Sequence, residues 1–361
     1  MKRQDLAALG GALVLAIFVA VFSSNGLLYE YSERSIESTT SPADSGHASG
    51  ARSILASLAA KARQHKASTA SSTRSTPADK KDKPARSSED LTLSLSKLNK
   101  ALVNVICDIH TPAGEFLTSG SGVIIDPRGI ILTNAHVAQF LLLTKGPATT
   151  RCSIRTGSPA SASYDAQLIY ISDPWIRAHP GTALSGSPSG TGENDFALLM
   201  ISGSRTDTPL PPSFPFMPLT ETTLAIGREA VLASYGAQGL NAEQVRRSLY
   251  PTLAFASIKD VFAFRQTFDL TAIDLIALGA NSAAQAGSSG GGVADGKGQL
   301  AGLITTSKPG SNVSAITAGH IKRSFRADTG TELARYLSDR TGTELIQDFR
   351  GRAAELTDVL Q

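Results

Sequence analysis

The hydrophobic pattern divides the chain into an apolar run, a long polar stretch and two strand-rich halves. Seventeen uncharged residues, Leu6 to Phe22, come first. From about Tyr31 to Glu89 apolar residues are too sparse to repay the entropy of ordering. Only Ile54 to Ala62 sets Leu55, Leu58 and Ala59 on one helical face. Beyond Leu91 the period shortens to that of strands. Val103 to Ile109 alternates, and Val123-Ile124-Ile125 and Ile130-Ile131-Leu132 flank the turn Asp126-Pro127-Arg128-Gly129. Cys152 to Ile154, Gln167 to Ile171 and Phe196 to Ile201 complete a first set of six. A proline-rich connector, Pro209 to Pro215, leads to a second set of about six. These are Ala230 to Tyr235, Leu253 to Ile258, Val261 to Phe264, Leu275 to Leu278, Gly292 to Ala294 and Leu300 to Ile304. Helical periodicity returns at Thr331 to Leu337 and from Glu344 to Leu360. Short strands separated by turn signals predict β-barrels or sandwiches. The predicted divisions are residues 1–30, 31–90 (a linker), 91–208 and 209–325 (the two β halves) and 326–361 (a helical tail).

Composition narrows this picture. A hydrophobic content of 41% supplies a core, and charged residues, at 18%, fall below the usual quarter. The net charge of +3 is small, and the basic residues crowd around Lys80-Lys81-Asp82-Lys83 without interleaved aromatics, which excludes nucleic acid as a partner. Two cysteines without a CxxC pair predict no cysteine-based metal site. As a helix, Leu6 to Phe22 would span about 26 Å, the short end of what crosses a bilayer. We read it as an uncleaved transmembrane anchor, with a cleaved signal peptide as the alternative. Lys2 and Arg3 precede it and Glu30, Glu33 and Glu37 follow, which places the folded part on the extracytoplasmic side of the cell membrane, single-pass, on a tether.

The candidate chemistry lies in three places. Gly287-Ser288-Ser289-Gly290-Gly291-Gly292 sets two serines in a glycine turn, where backbone N–H groups can converge on one point. His136 directly follows a strand run, and Asp195 opens the apolar run Phe196 to Ile201. A nucleophile, a base to take its proton and a carboxylate to orient the base make up one catalytic set. Asp165 and Asp173 compete for the carboxylate role, but neither leads directly into a long apolar run. His110, His179 and His320 lack a partner motif and read as surface or packing residues.

These stretches resemble the motifs of chymotrypsin-fold serine peptidases. Thr133-Asn134-Ala135-His136-Val137, Asn194-Asp195-Phe196-Ala197-Leu198-Leu199 and Gly287-Ser288-Ser289-Gly290-Gly291 are similar to the family's histidine, aspartate and serine motifs, in its chain order. The resemblance covers about residues 91 to 325 and is closest to the bacterial Deg/HtrA-like group, through Ser119 to Ile125 and Pro218-Leu219 to Tyr235. It implies an all-β fold of two six-stranded antiparallel Greek-key barrels with the active site between them, alongside the short C-terminal helices and the N-terminal transmembrane helix. It further implies a serine endopeptidase acting on protein or peptide through an acyl-enzyme, with no cofactor and no metal. His136 would be the base, Asp195 its orienting partner, Ser289 the nucleophile, and the N–H groups of Gly287 and Ser289 the oxyanion hole. The implied substrate pocket includes Ala283, Ala286, Thr305 and Thr306. The uncharged Ala283 at its base predicts small or medium apolar side chains. The resemblance also makes the strands of Cys107 and Cys152 neighbours, so a disulfide is implied, with two buried thiols as the alternative.

Departures from the family pattern carry their own expectations. Ser288 stands where the family has Asn or Asp, which removes the partner for zymogen activation by a new amino terminus. Gly292 replaces a commoner Pro or Ala and predicts a looser turn. Together they leave open a peptidase-like binding or scaffold protein, weak or inactive, at the membrane surface. The stretch after 325 has no room for a PDZ domain. Ser172 to Glu193 reads as a disordered excursion, or else a loop near the cleft.

Overall fold

The computed structural model describes residues 20–23, 83–143, 148–181, 192–264, 272–279, 281–283, 285–306 and 312–360. The chain divides into two compact units. Of the first, Met1–Leu13 and Tyr31–Ala85, only residues 83–85 are described. The second, Val14–Glu30 and Arg86–Gln361, holds all the other described residues.

The first half closes into a barrel. Its strands are β2 (Leu102–Thr111), β3 (Gly114–Asp126), β4 (Ile130–Thr133), β5 (Thr149–Thr156), β6 (Ser161–Ile171) and β7 (Ala197–Ser204). They pair antiparallel in the order β3-β2-β5-β6-β7-β4, and a β3–β4 pairing completes the ring. The β2–β5 register sets Cys107 opposite Cys152, and the two form a disulfide with an S–S distance of 2.06 Å. Across a separation of 45 residues, chain entropy gives such a bridge about 4 kcal/mol.

The second half is also a closed six-stranded barrel, β8 (Glu229–Ser234), β9 (Thr252–Phe262), β10 (Leu275–Leu278), β11 (Gly292–Ala294), β12 (Leu300–Thr306) and β13 (Val313–Thr317), in the order β10-β13-β12-β11-β8-β9. The expected count is right, but two of the strands differ. Leu253 to Ile258 and the first two residues of Val261 to Phe264 belong to one strand, β9, which ends at Phe262. Its register with β10 slips between Ile258 and Asp260, and a bulge of this kind interrupts the alternation that a pattern reading follows. The sixth strand is β13, a five-residue segment with no run of its own to announce it.

Many of these strands are buried on both faces, which is why their sequences read as continuous apolar runs. On β2, Val103, Val105, Cys107 and Ile109 join a cluster with Ile131, Leu199 and Ile201 of the same barrel, while Leu102 and Ile106 face a second cluster. On β8, Ala230 and Leu232 face the second barrel's own cluster, while Val231, Ala233 and the following Tyr235 join Leu102, Leu132 and Leu198 of the first barrel. The barrels therefore share a core. At about 25 cal/mol per Å² of apolar surface buried, that core is the main force holding them together.

Helices cover the barrels. The longest expectation to change is the linker, because Lys83–Ala101 is a helix, α1, that begins inside the stretch assigned to residues 31–90. Leu91, Leu98 and Ala101 are buried on it, at the 3.6-residue spacing of one face. Leu98 explains Gly292. A Cβ on Gly292 would lie 2.8 Å from Leu98 Cδ1 and 2.9 Å from both Leu300 Cδ1 and Val123 Cγ2. Gly292 is a buried strand residue packed tight under α1, which corrects the expectation of a looser turn.

The expected disordered excursion at residues 172–193 is also partly structured. Ser172 caps a short helix, α3 (Asp173–Ala178), whose Trp175 and Ile176 are buried; α2 is the single turn Ala135–Ala138. After α4 (Ala242–Arg247) the chain ends in α5 (Ala318–Thr329), α6 (Leu333–Ser338) and α7 (Gly342–Leu360). The last two match the expected helices, whereas α5 starts inside the stretch assigned to the second barrel. Phe349, Leu356 and Leu360 of α7 pack into the first barrel's cluster, so residues 326–360 cover that barrel rather than trail from it.

Most of Leu6 to Phe22 lies outside the described residues. Its end does not: Ala20–Ser23 is a strand, β1, antiparallel to Phe116 to Ser119 of β3, where the sequence reading has the last turn of a helix. The edge of β3 beyond its pairing with β4 offers the open ladder groups that such a segment can take up. Among the described residues no helix is long and apolar enough to cross a membrane.

The contact between α1 and the second barrel is testable. Leu98→Ala should cost about 2–5 kcal/mol in urea unfolding, and Gly292→Ala about 1–3 kcal/mol by overpacking. The double variant should cost less than the sum, because the smaller residue 98 makes room for the added methyl. Strictly additive costs would contradict this packing.

Candidate active site

The β4–β7 ladder builds one side of the site. It pairs Thr133 with Ala197, which brings the residues after β4 beside those before β7. Asn134 Nδ2 donates to the Asp195 carbonyl at 2.8 Å. The backbone N–H of His136 donates to Asp195 Oδ1 at 2.9 Å, and His136 Nδ1 lies 2.7 Å from Asp195 Oδ2. Both side chains have 0% exposure. An ionised carboxylate accepts only, so this contact requires the ring proton on Nδ1. A neutral His136 then carries its lone pair on Nε2, which is buried and has no partner among the described residues. The structure thus brings together the sequence-predicted His136 and Asp195. The competing carboxylates sit elsewhere: Asp165 faces Arg205 at 3.4 Å and Asp173 faces Arg177 at 2.7 Å.

The loop carrying Asp195 is held from the other side by α5. Ser324 Oγ donates to Asn194 Oδ1 at 3.1 Å, and His320 Nε2 bonds the Glu193 carbonyl. His320 Nδ1 in turn lies 2.9 Å from Asp274 Oδ1, which also takes Arg323 at 2.6 Å. Burial would raise the Asp274 pKa, but hydrogen bonds from Arg323 and His320 outweigh it and hold the carboxyl below its usual range. This second His–Asp pair has a packing role, as expected for His320. Its partner is 46 residues away in sequence, so no local motif could announce it.

The glycine turn builds the opposite side. Gly287 and Gly290 have φ of +87° and +84°, a region that only glycine enters freely. Ser288 N–H donates to the Gln285 carbonyl at 2.9 Å and Gly291 N–H to the Ser288 carbonyl at 2.8 Å. Gly290 N–H donates to the Ile304 carbonyl at 2.9 Å, which ties the turn to β12. The N–H groups of Gly287 and Ser289 donate to no acceptor among the described residues. Ser288 is buried and its hydroxyl closes the turn, accepting from Gln285 N–H at 3.1 Å and donating to the Gln285 carbonyl at 2.5 Å. The departure at this position therefore supports the turn rather than loosening it. Ser289 retains 7% exposure.

The two sides are fastened directly. Ser121 N–H donates to the Ser289 carbonyl at 2.7 Å, and Thr133 Oγ1 donates to the Ser121 carbonyl at 2.6 Å. Gly290 passes so close that a Cβ there would lie 1.9 Å from the Ser121 oxygen. The expected pocket residues are less open: Ala283 is packed in the second barrel's cluster, Thr305 is buried and Ala286 is half-buried. The side chain of Thr306 lies outside the described residues. Among the described residues no cluster of His, Cys, Asp or Glu could hold a metal ion.

Among solved structures, the chain is similar to the active form of the Rv3671c protease from M. tuberculosis, with 18% identity and a TM-score of 0.42, over 72% of this chain and 92% of that one. An inactive form of the same protease matches with 16% identity and a TM-score of 0.40, over 66% and 93%. No protein with a curated description matches the sequence significantly. The sequence does match the family described as a trypsin-like peptidase domain over residues 120–303, a span that takes in His136, Asp195 and Ser289. That span is just over half of the 361 residues, and with its two closed barrels the chain belongs to the trypsin-like peptidase family, the serine proteases of the chymotrypsin-type fold.

Proposed function

We propose that the chain is a membrane-anchored serine endopeptidase in which Ser289 is the nucleophile, His136 the general base and Asp195 the group that orients it. The observation that carries this assignment is the fully buried His136–Asp195 pair, which leaves Nε2 as the one unpartnered ring nitrogen. In the reaction, Ser289 Oγ bonds to the substrate carbonyl carbon while its proton passes to His136 Nε2. The carbonyl electron pair moves onto oxygen, where the N–H groups of Gly287 and Ser289 receive it. Loss of one such donor typically costs roughly 3 kcal/mol. Collapse of this intermediate breaks the C–N bond, and His136 returns the proton to the leaving amine. Water then repeats the sequence on the ester and frees Ser289.

The same residues argue against the scaffold alternative, because both departures that suggested it have packing reasons: Ser288 braces Gln285, and Gly292 makes room for Leu98. The anchor reading rests on the uncharged run that begins at Leu6, apart from its end at Ala20–Ser23, which pairs with β3, and on the charges flanking that run. The Cys107–Cys152 disulfide supports an extracytoplasmic site for the folded part, since such bonds persist in oxidising compartments. The preference we assign, for small or medium apolar residues, rests on the absence of charge at Ala283, which is itself packed in the second barrel's cluster.

A fluorophosphonate probe should label the wild type, and Ser289→Ala should abolish labelling. Asp195→Asn should slow it by about four orders of magnitude, through the wrong histidine tautomer. Equal labelling of all three proteins would contradict the assignment. In a peptide library, cleavage should follow small or medium apolar side chains, and a profile led by Arg or Lys would refute the pocket reading. For the location, alkylation in intact cells should find no free thiol on the full chain, which should stay with membranes through a carbonate wash. Free thiols, or release into the wash, would count against it.

A further inference from the structure

The two residues whose N–H groups would receive the oxyanion are both held by their own carbonyl oxygens, and by one residue of the opposite barrel. Ser121 N–H holds the Ser289 carbonyl at 2.7 Å, while Ser121 Oγ donates to the Gly287 carbonyl at 3.0 Å. The same hydroxyl accepts from Tyr235 N–H at 2.8 Å. Ser121 has 0% exposure, so no water competes for these bonds. A hydroxyl has a single proton, and with Tyr235 N–H occupying a lone pair that proton is committed to Gly287.

We propose that the Ser121 hydroxyl is a positioning residue for the oxyanion turn. This rests on the peptidase reading given above. Gly287 has no Cβ and sits at φ +87°, so the peptide that follows depends on hydrogen bonds for its orientation: its N–H donates to the Gln285 carbonyl, and its carbonyl accepts from Ser121 Oγ. The peptide units that carry the Gly287 and Ser289 N–H groups are held at their carbonyls by Ala237 and Gly291, and the hydroxyl bond to the Gly287 carbonyl restrains the peptide between them, which sets the angle at which the two N–H groups converge. Alignment decides their value, because a donor acts only when it lies about 2.7–3.1 Å from where the oxyanion will form. The backbone bond from Ser121 N–H to Ser289 survives a change of side chain. Substitution at 121 therefore removes only the hydroxyl's two bonds, to the Gly287 carbonyl and from Tyr235 N–H.

The test compares full-length wild type, Ser121→Ala and Ser121→Cys, with active sites titrated. Three quantities are read: kcat and KM on a chromogenic peptide, and inhibition by a peptidyl trifluoromethyl ketone, whose adduct places an oxyanion in the hole. For Ser121→Ala, kcat per titrated site should fall about 10- to 100-fold with KM within about threefold, and inhibitor affinity should fall in parallel with kcat. Ser121→Cys, nearly isosteric and a weaker donor, should fall between. A lowered melting temperature with unchanged kcat per site and unchanged inhibitor affinity would overturn the proposal, leaving Ser121 a structural residue. If Ser121→Ala does not fold, the same comparison on Ser121→Cys decides. A wild type without Ser289-dependent turnover would instead overturn the peptidase reading itself, and the positioning role with it.

Discussion

A base on one barrel can act on a nucleophile from another only if the two barrels are fastened where they meet. Here that fastening runs through Ser121, which binds the turn at Ser289 on one side and takes Thr133, the last residue of β4, on the other. Three residues beyond Thr133 stands His136. The path from Ser289 to His136 is thus a few backbone-anchored links through buried groups. The close approach also dictates sequence. A side chain at Gly290 would collide with the Ser121 oxygen, and one at Gly292 with Leu98, so Gly290 is required by packing as well as by dihedral angle and Gly292 by packing.

The second constraint is electrostatic. Burying the Asp195 carboxylate is costly unless it is hydrogen-bonded. It receives the His136 backbone N–H and, at Nδ1, the ring of the same residue, so one residue meets both oxygens and its tautomer is set at the same time. The loop that presents Asp195 is braced from α5 through Asn194 and Glu193. Asp274, His320 and Arg323 form the ionic support for that brace. The Asp195 carboxylate therefore depends on a helix from the far end of the chain as well as on its own barrel.

Much of this was legible in the sequence, for physical reasons that differ by element. Strands buried on both faces, such as Ile130 to Leu132 and Phe196 to Ile201, announce themselves as apolar runs. The turn at Asp126 to Gly129 is written in its proline and glycine. The three site motifs could be placed because each combines a reactive residue with the small or apolar neighbours that position it. What escaped was long-range or masked by polarity. Helix α1 carries its stripe, Leu91, Leu95 and Leu98, among serines and lysines. Strand β9 was split in two by its bulge, and β13 (Val313–Thr317) breaks its apolar residues with a serine and a threonine and so shows no continuous run. Ser121 looked like part of a small-residue hairpin, because its partners, Gly287, Ser289 and Tyr235, are more than a hundred residues away.

The most direct test of the central claim is a pre-steady-state measurement with a p-nitrophenyl ester substrate. Covalent catalysis on Ser289 predicts a rapid burst of p-nitrophenol, close to one equivalent per chain, followed by slower turnover, because ester acylation outpaces deacylation. The burst should vanish in Ser289→Ala. Turnover without a burst, or a burst that persists when Ser289 is removed, would contradict the account.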